Sequence, residues 1–289
     1  MKGVQRYECK VCGRQFVGGA RIENDELWQE YTKGKQTLTQ LAARYGCSVR
    51  TIQRRLDKVK VKAEELEGDP KPQKVVIVMD TTYFGRTFGV VLIVDAHRGK
   101  MLHLEFVKYE TNDLYERSVN GLKEQGFEIA AIVCDGRKGL FHLFENIPVQ
   151  MCQFHQTAII TRYLTRRPKI LASQELRELT LTLARTDKQS FSDSLGRWLD
   201  KWQKFLNERT INPLTQKSFY THRRLRAAYR SLKTNLPWLF TFEDHPNLRI
   251  PNTTNSLEGI FADLKNKLRC HNGLSKQRRM KFIDEFFKA

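Results

Sequence analysis

Lys74-Val-Val-Ile-Val-Met-Asp80, followed by Thr81-Thr-Tyr-Phe-Gly85, is the stretch whose reading decides the fold. Five apolar residues run up to one carboxylate. The run is short, rich in β-branched side chains and closed by glycine, so it reads as a buried strand, Val75–Asp80, rather than a helix. An Asp in that place bonds the following turn, or it stands where a rigid sheet meets solvent. A second copy of the pattern, Ile129-Ala-Ala-Ile-Val-Cys-Asp135-Gly136, favours the second reading. Two carboxylates delivered by two strand ends can share one divalent cation, the beginning of a phosphoryl-transfer site.

Working outward, Phe88–Asp95 reads as a second strand, His97-Arg-Gly-Lys100 as a hairpin turn and Met101–Lys108 as a third strand. Asn112–Lys123 fits a helix, Ile129–Asp135 a strand, Lys138–Glu145 a short helix and Pro148–His155 another strand. Three hairpin-linked strands followed by helix-strand crossovers imply a mixed five-stranded sheet covered by helices, an α/β class. From Gln156 to Phe240 no good strand candidate appears, and Leu195, Trp198, Leu199, Trp202 and Leu206 recur at helical spacing as core. The basic clusters Arg162–Lys169 and His222–Arg226 read equally as phosphate-tracking or as solvated faces. Near the end, Ile250-Pro-Asn-Thr-Thr-Asn255-Ser-Leu-Glu258-Gly opens a helix with Leu257, Phe261, Leu264 and Leu268 on one stripe. Glu258 lies three residues past Asn255, so a capping role competes with a catalytic one. The tail 265–279 is basic enough for a second DNA-backbone patch.

Upstream, Cys9-Lys-Val-Cys12 is a C-x2-C knuckle, half of a tetrahedral zinc site. No second C-x2-C occurs, so zinc occupancy is in question, and a distant pairing with Cys270 and His271 has little support. Residues 24–58 read as three helices with Gly46-Cys-Ser48 as the tight turn, a helix-turn-helix pattern. Ile52 and Leu56 face in, while Arg50, Gln53, Arg54 and Lys58 face out, suited to phosphates and base edges in a major groove. The competing reading is a small bundle with a solvated basic face. Glu64–Gln73 is charged, carries Pro and Gly, and reads as a linker.

The domain organisation expected is therefore a partial zinc-ribbon knuckle (1–20), a helix-turn-helix domain (21–62) and a linker (63–73). The first part of a catalytic core (74–156), a helical insertion (157–249), and a final core helix with the basic tail (250–289) follow.

Among 289 residues, fifty Lys and Arg against 32 Asp and Glu give a net charge of +18. Such a charge points to a polyanion, nucleic acid first, with double-stranded DNA the partner that the helix-turn-helix pattern favours; a membrane surface is the weaker reading because no basic amphipathic anchor stands out. No apolar run approaches the roughly 18 residues of a membrane span. No signal peptide is visible, and the six cysteines do not form a disulfide framework, which places the chain in a reducing cytoplasm.

Met79-Asp80-Thr-Thr-Tyr-Phe-Gly85, Cys134-Asp135-Gly-Arg-Lys-Gly139, Cys152-Gln-Phe-His155 and Asn252-Thr-Thr-Asn-Ser-Leu-Glu258-Gly together resemble the mutator-type bacterial insertion-sequence transposases. The resemblance covers the chain from about Lys74 to its end, and the C-x2-H and Asn-Ser-Leu-Glu blocks weigh most. It implies an RNase H-like core and a DDE triad falling on Asp80, Asp135 and Glu258. It further implies Mg2+ or Mn2+ as cofactor, element ends and target DNA as partners, a homodimer in the active complex, and a bacterial, nucleoid-associated location. It places His155 near the triad, against the plain reading of a structural histidine. Arg137 and Lys138 become candidates for holding donor or target phosphates. Asp95, Glu105, Glu243, Asp244 and Asp263 are the rival carboxylates. Two other functions compete: a non-catalytic DNA-binding regulator derived from a transposase, and an RNase H-like nuclease that cuts without joining.

Overall fold

The computed structural model describes residues 6–17, 22–34, 36–59, 73–144, 146–271 and 274–288. In chain order the elements begin with the hairpin β1 (Arg6–Glu8) and β2 (Gln15–Val17), then α1 (Asn24–Thr32), α2 (Leu38–Arg44) and α3 (Val49–Lys58). The sheet elements follow: β3 (Gln73–Phe84), β4 (Phe88–Asp95), β5 (Met101–Val107), α4 (Asn112–Glu124), β6 (Phe127–Cys134), α5 (Leu140–Leu143) and β7 (Val149–Met151). Next are α6 (Gln153–Leu164), α7 (Leu171–Leu181), α8 (Lys188–Leu206), β8 (Arg209–Ile211), β9 (Ser218–Tyr220), α9 (Arg223–Leu239) and α10 (Thr241–Asp244). The last two are α11 (Asn255–Arg269) and α12 (Lys276–Lys288). Two compact units result, one of Asp69–Phe261 and one of residues 1–68 with 262–289.

In the larger unit the five strands lie in the order β5-β4-β3-β6-β7. β3, β4 and β5 are antiparallel, and β6 and β7 run parallel to β3. A meander of three strands followed by two parallel crossovers on the far side is the RNase H-like arrangement. Val75, Ile77 and Met79 enter one buried cluster with Val91, Ile93, Ile132 and Cys134, whose other wall includes Leu114, Tyr115, Val119 and Leu122 of α4. β4 is buried along its whole length because both its neighbours are paired and both its faces are covered.

Four local expectations differ from what forms. β3 does not stop at Asp80, because Thr81–Phe84 continue the antiparallel ladder with β4 as far as Phe84 opposite Phe88. Only the parallel pairing with β6 ends short of Asp80, at Val78. The strand expected over Pro148–His155 is just Val149–Met151; α6 begins at Gln153, so His155 sits in the first turn of a helix. Of the helix expected over Lys138–Glu145, only Leu140–Leu143 forms among the described residues, and Glu145 lies outside them. Within the insertion, the exposed hairpin β8–β9 has no buried face and so left no periodic trace.

The insertion attaches to the edge strand β7 through satisfied buried polar groups. Gln150, fully buried, donates to the Leu239 carbonyl and accepts from the Phe242 amide, while the Thr241 hydroxyl donates to the Val149 carbonyl. Trp198 stacks on Tyr229 and donates its indole hydrogen to the Ala172 carbonyl. Trp202 donates to Glu175. These aromatics are internal scaffolding.

The smaller unit carries three short helices with explicit caps. Thr37 and Gln40 form a capping box on α2, and the Ser48 hydroxyl accepts from the Thr51 amide at the start of α3. Between them Gly46 takes a φ of 59°, the left-handed turn that glycine makes without strain. α12 packs against these helices. His271 lies 4.2 Å from the Tyr31 ring, and the Arg278 guanidinium donates twice to Asp57 at 2.8 Å. The linker expected over 63–73 lies, except for Gln73, outside the described residues. No helix among the described residues is long and apolar enough to cross a membrane.

Ile77 is 0% exposed in the central strand, so Ile77→Ala should cost about 2–5 kcal/mol in denaturant unfolding. The Asp57–Arg278 pair has side chains 47% and 33% exposed, so Asp57→Asn should cost under about 1 kcal/mol despite its bidentate geometry.

Candidate active site

Strand register brings the first two carboxylates together. β3 and β6 pair Val75 with Ile129 but Val76 with Ala131, so Ala130 is an extra residue in β6. Beyond this bulge Val78 pairs with Val133, and two residues on, Asp80 within β3 and Asp135 just past β6 fall at one level. Side chains alternate along each strand, so both carboxylates fall on the same face, opposite Ile77, Met79, Ile132 and Cys134. Were Ala130 paired in regular register instead of bulged, Asp135 would fall one level further on and on the other face.

Each carboxylate is anchored by backbone. Asp80 Oδ1 accepts from the Thr81 amide at 2.8 Å, and Asp135 Oδ1 accepts from the Arg137 amide at 3.1 Å. Glu258 occupies the first turn of α11, and its amide donates to the Thr254 carbonyl. Its carboxylate lies 3.8 Å from Nε2 of His155, an ion pair when the imidazole is protonated. Cys152, just before α6, accepts from both the amide and the hydroxyl of Thr254, which joins the start of α6 to the loop before α11. The Gln153 amide donates to the Asn252 carbonyl across the same junction.

The electrostatics tie the four residues into one neighbourhood. Burial, with the charges of Asp135 and Glu258 adding to it, pushes the Asp80 carboxyl up to about 7, although His155 and the Thr81 amide pull it down. The Cys152 sulfur beside His155 and the charges of Asp80 and Asp135 raise the imidazole to about 9 against the opposing effect of burial. Nδ1 of His155 is buried without a hydrogen-bond partner among the described residues.

A further carboxylate, Glu110, belongs to this neighbourhood and was not visible in the sequence. It accepts from the Tyr115 hydroxyl at 2.8 Å, and that hydroxyl lies 2.7 Å from the Thr81 hydroxyl beside Asp80. Burial raises its pKa first, and the charge of Asp135 raises it further. Glu110 sits in the loop before α4 with no strand or helix pattern around it, so only its spatial partners mark it.

Arg137 is less free than its sequence position implies. Its Nε donates to Asn112 at 2.7 Å, and a guanidinium nitrogen lies 3.9 Å from Glu110. Lys138 beside it is exposed. The rival carboxylates all have other partners. Asp95 accepts from the amides of His97 and Arg98 in its turn, and Glu105 lies 3.5 Å from His103. Glu243 accepts from the Lys188 amide, Asp244 pairs with the Lys188 side chain, and Asp263 pairs with Lys267.

No family model matches the chain, and no curated protein matches it. Among solved structures it is similar to the Drosophila P element transposase strand transfer complex, with a TM-score of 0.45, 11% identity, and coverage of 96% of this chain and 93% of that one. It is also similar to the HTLV-2 integrase catalytic core domain in complex with magnesium, in its trimeric form (TM-score 0.24, 14% identity, 52% of this chain and 95% of that one). A third likeness is to the simian T-cell lymphotropic virus intasome in complex with the PP2A regulatory subunit B56 gamma (TM-score 0.24, 15% identity, 70% and 72%). The RNase H-like assignment rests on strand order and direction within this chain.

The remaining candidate residues lie elsewhere. On α3, Arg50, Arg54 and Lys58 are exposed at four-residue spacing along one face, and Gln53 is half-buried beside them. Cys9 and Cys12 stand at the turn of the β1–β2 hairpin, where the Cys12 and Val11 amides near the Cys9 sulfur lower its pKa. Cys270 is exposed and the His271 ring is packed on Tyr31 and Phe282. As they stand, no three His, Cys, Asp or Glu side chains among the described residues gather closely enough to hold a metal ion.

The donor set of the sheet-edge site nonetheless fits a hard divalent cation. Asp80, Asp135 and Glu258 offer oxygen ligands, and the raised Asp80 pKa records buried negative charge that such a cation would offset. Because the folded-state pKa of about 7 stands above the ordinary 3.8, the folded chain binds the Asp80 proton more tightly than the unfolded chain does. That contribution is present in full below the unfolded value and is lost as pH rises through about 7. In metal-free protein Asp80→Asn should therefore stabilise the fold at pH above 7 by about 2–4 kcal/mol, with the gain shrinking as pH falls towards the ordinary carboxylate range. Denaturant unfolding across that pH range measures it.

Proposed function

We propose that this chain is a DDE transposase of the mutator type, cutting DNA at the ends of an insertion sequence and joining those ends to target DNA. The observation that carries the reading is the common level and common face of Asp80 and Asp135, with Glu258 close enough to perturb Asp80. Asp80, Asp135 and Glu258 would hold Mg2+ or Mn2+. The bound cations would supply a more acidic attacking water or 3′-hydroxyl and stabilise the leaving 3′ oxygen.

The chain's own residues do the rest. The strands hold two carboxylates rigidly, with backbone amides fixing one oxygen of each. His155, protonated at neutral pH by its raised pKa, draws the Glu258 carboxylate towards the sheet edge and limits the repulsion among the acids. Tyr115 and Glu110 hold Thr81 and so the backbone that orients Asp80. Lys138, exposed beside the second Asp, is suited to a phosphate, and Arg137 reaches one only by leaving Asn112. In the smaller unit Arg50, Gln53, Arg54 and Lys58 would enter the major groove at the element ends. Cleaving two ends in one complex makes a homodimer the working unit. Zinc at Cys9 and Cys12 would need two ligands from outside that hairpin.

A metal-dependent assay on labelled DNA with element ends tests the proposal. Strand transfer supports it; cleavage without joining points to a nuclease; binding without cleavage points to a regulator. Asp80→Asn and Glu258→Gln should each lower cleavage by at least about a thousandfold while leaving duplex binding intact. Substantial cleavage by either variant would sink the triad. Arg50→Ala and Arg54→Ala should each weaken binding of element ends by about 1–3 kcal/mol and lessen its salt dependence, read by fluorescence anisotropy.

A further inference from the structure

Residues 146–174 contain four Lys and Arg and no Asp or Glu, and residues 209–242 contain seven with none. A solvated helical surface ordinarily interleaves the two signs. These two acid-free segments are far apart in sequence, yet α6 and α9 pack together in the insertion. Where the end of α6 meets the start of α9 they enclose an open cavity of about 510 Å³, lined by Arg167, Lys169, His222, Arg223 and Arg224 among others. On the other flank of α9 a second groove of about 390 Å³ carries Arg226, Arg230 and Lys233.

The guanidinium groups here are held by neutral partners, which fixes their positions and leaves their charge in place. Arg224 donates to the Arg162 carbonyl, and Arg226 donates to the Leu206 carbonyl and the Asn207 side chain. Arg223 lies 4.1 Å from the centre of the Phe219 ring, and Arg226 lies 3.6 Å from that of Tyr220. A carboxylate does reach the cluster at one point, where Glu208 lies 2.9 Å from His222. Thr165, at the cavity rim, leaves α6 with φ 71° and ψ 171°, a backbone region that side-chain-bearing residues rarely adopt. That strained exit leads through Arg166 into Arg167-Pro168-Lys169 on the cavity's lip.

We propose that this α6–α9 face of the insertion is a second DNA-binding surface, taking the phosphodiester backbone of a duplex. Its readout is sequence-independent, since arginines and a lysine facing an open groove meet phosphates rather than base edges. The duplex as partner comes from the function proposed above, but the contact needs neither metal nor catalysis, so an inactive triad leaves it standing.

The test uses the full chain in EDTA with a fluorescein-labelled duplex of about 30 base pairs lacking element ends, and anisotropy followed between about 50 and 200 mM salt. Arg167→Gln, Lys169→Gln and Arg223→Gln combined should lower affinity about tenfold or more and reduce the slope of log K against log salt by about two to three. Arg167→Lys with Arg223→Lys should keep most of both. An unchanged slope in the glutamine variant overturns the proposal. So does equal weakening by the lysine and glutamine variants, because the loss then comes from altered packing rather than charge. Should the triple variant fail to fold, Lys169→Gln alone, at an exposed side chain, decides by whether the slope falls by about one.

Discussion

One extra residue in β6 governs the site. Ala130 shifts the pairing of β3 with β6 so that Asp80 and Asp135 emerge at the same height and on the same face. In a sheet whose side chains alternate, a register error of one residue does not move a carboxylate slightly; it sends it to the opposite surface. Both strands are buried on both faces around that point, with Val76, Ile77, Val78, Ala131, Ile132 and Val133 all at 3% exposure or less, so the register is locked by packing on either side.

That arrangement concentrates negative charge where water is scarce, and the surroundings reflect the cost. Asp80 is held protonated up to about neutral pH, His155 is held protonated well above it, and Glu110 is raised as well. Asp80, Asp135, Glu258 and Glu110 all lie within electrostatic reach of the one His155 imidazole, an arrangement that apolar residues of similar volume would replace without loss of stability. The supporting bonds, Tyr115 to Glu110 and Thr81 and Cys152 to Thr254, tie together α4, β3, α6 and the loop before α11. The candidate site is thus built from elements distant in sequence and fixed by the sheet they share.

Charge is distributed with similar economy elsewhere. The two acid-free segments of the insertion carry cations and no carboxylate of their own. The net charge of +18 is therefore gathered in part on defined faces, and a polyanion would meet an organised surface.

The sequence by itself determined the apolar strands, the helical periods and the identity of the acids that follow two of those apolar runs. These are local properties, written in runs of β-branched residues, in turn glycines and in caps such as Ser48. The three helices of residues 24–58 and the mixed sheet were legible for that reason. What only the tertiary structure decided was contact across sequence distance. The bulge at Ala130, the continuation of β3 past Asp80, the helical setting of His155, and the membership of Glu110 all depend on which strand or helix lies alongside. The same holds for the convergence of two basic segments on one cavity. No residue's own neighbours in the chain carry that information, because pairing and burial are set by the partner surface.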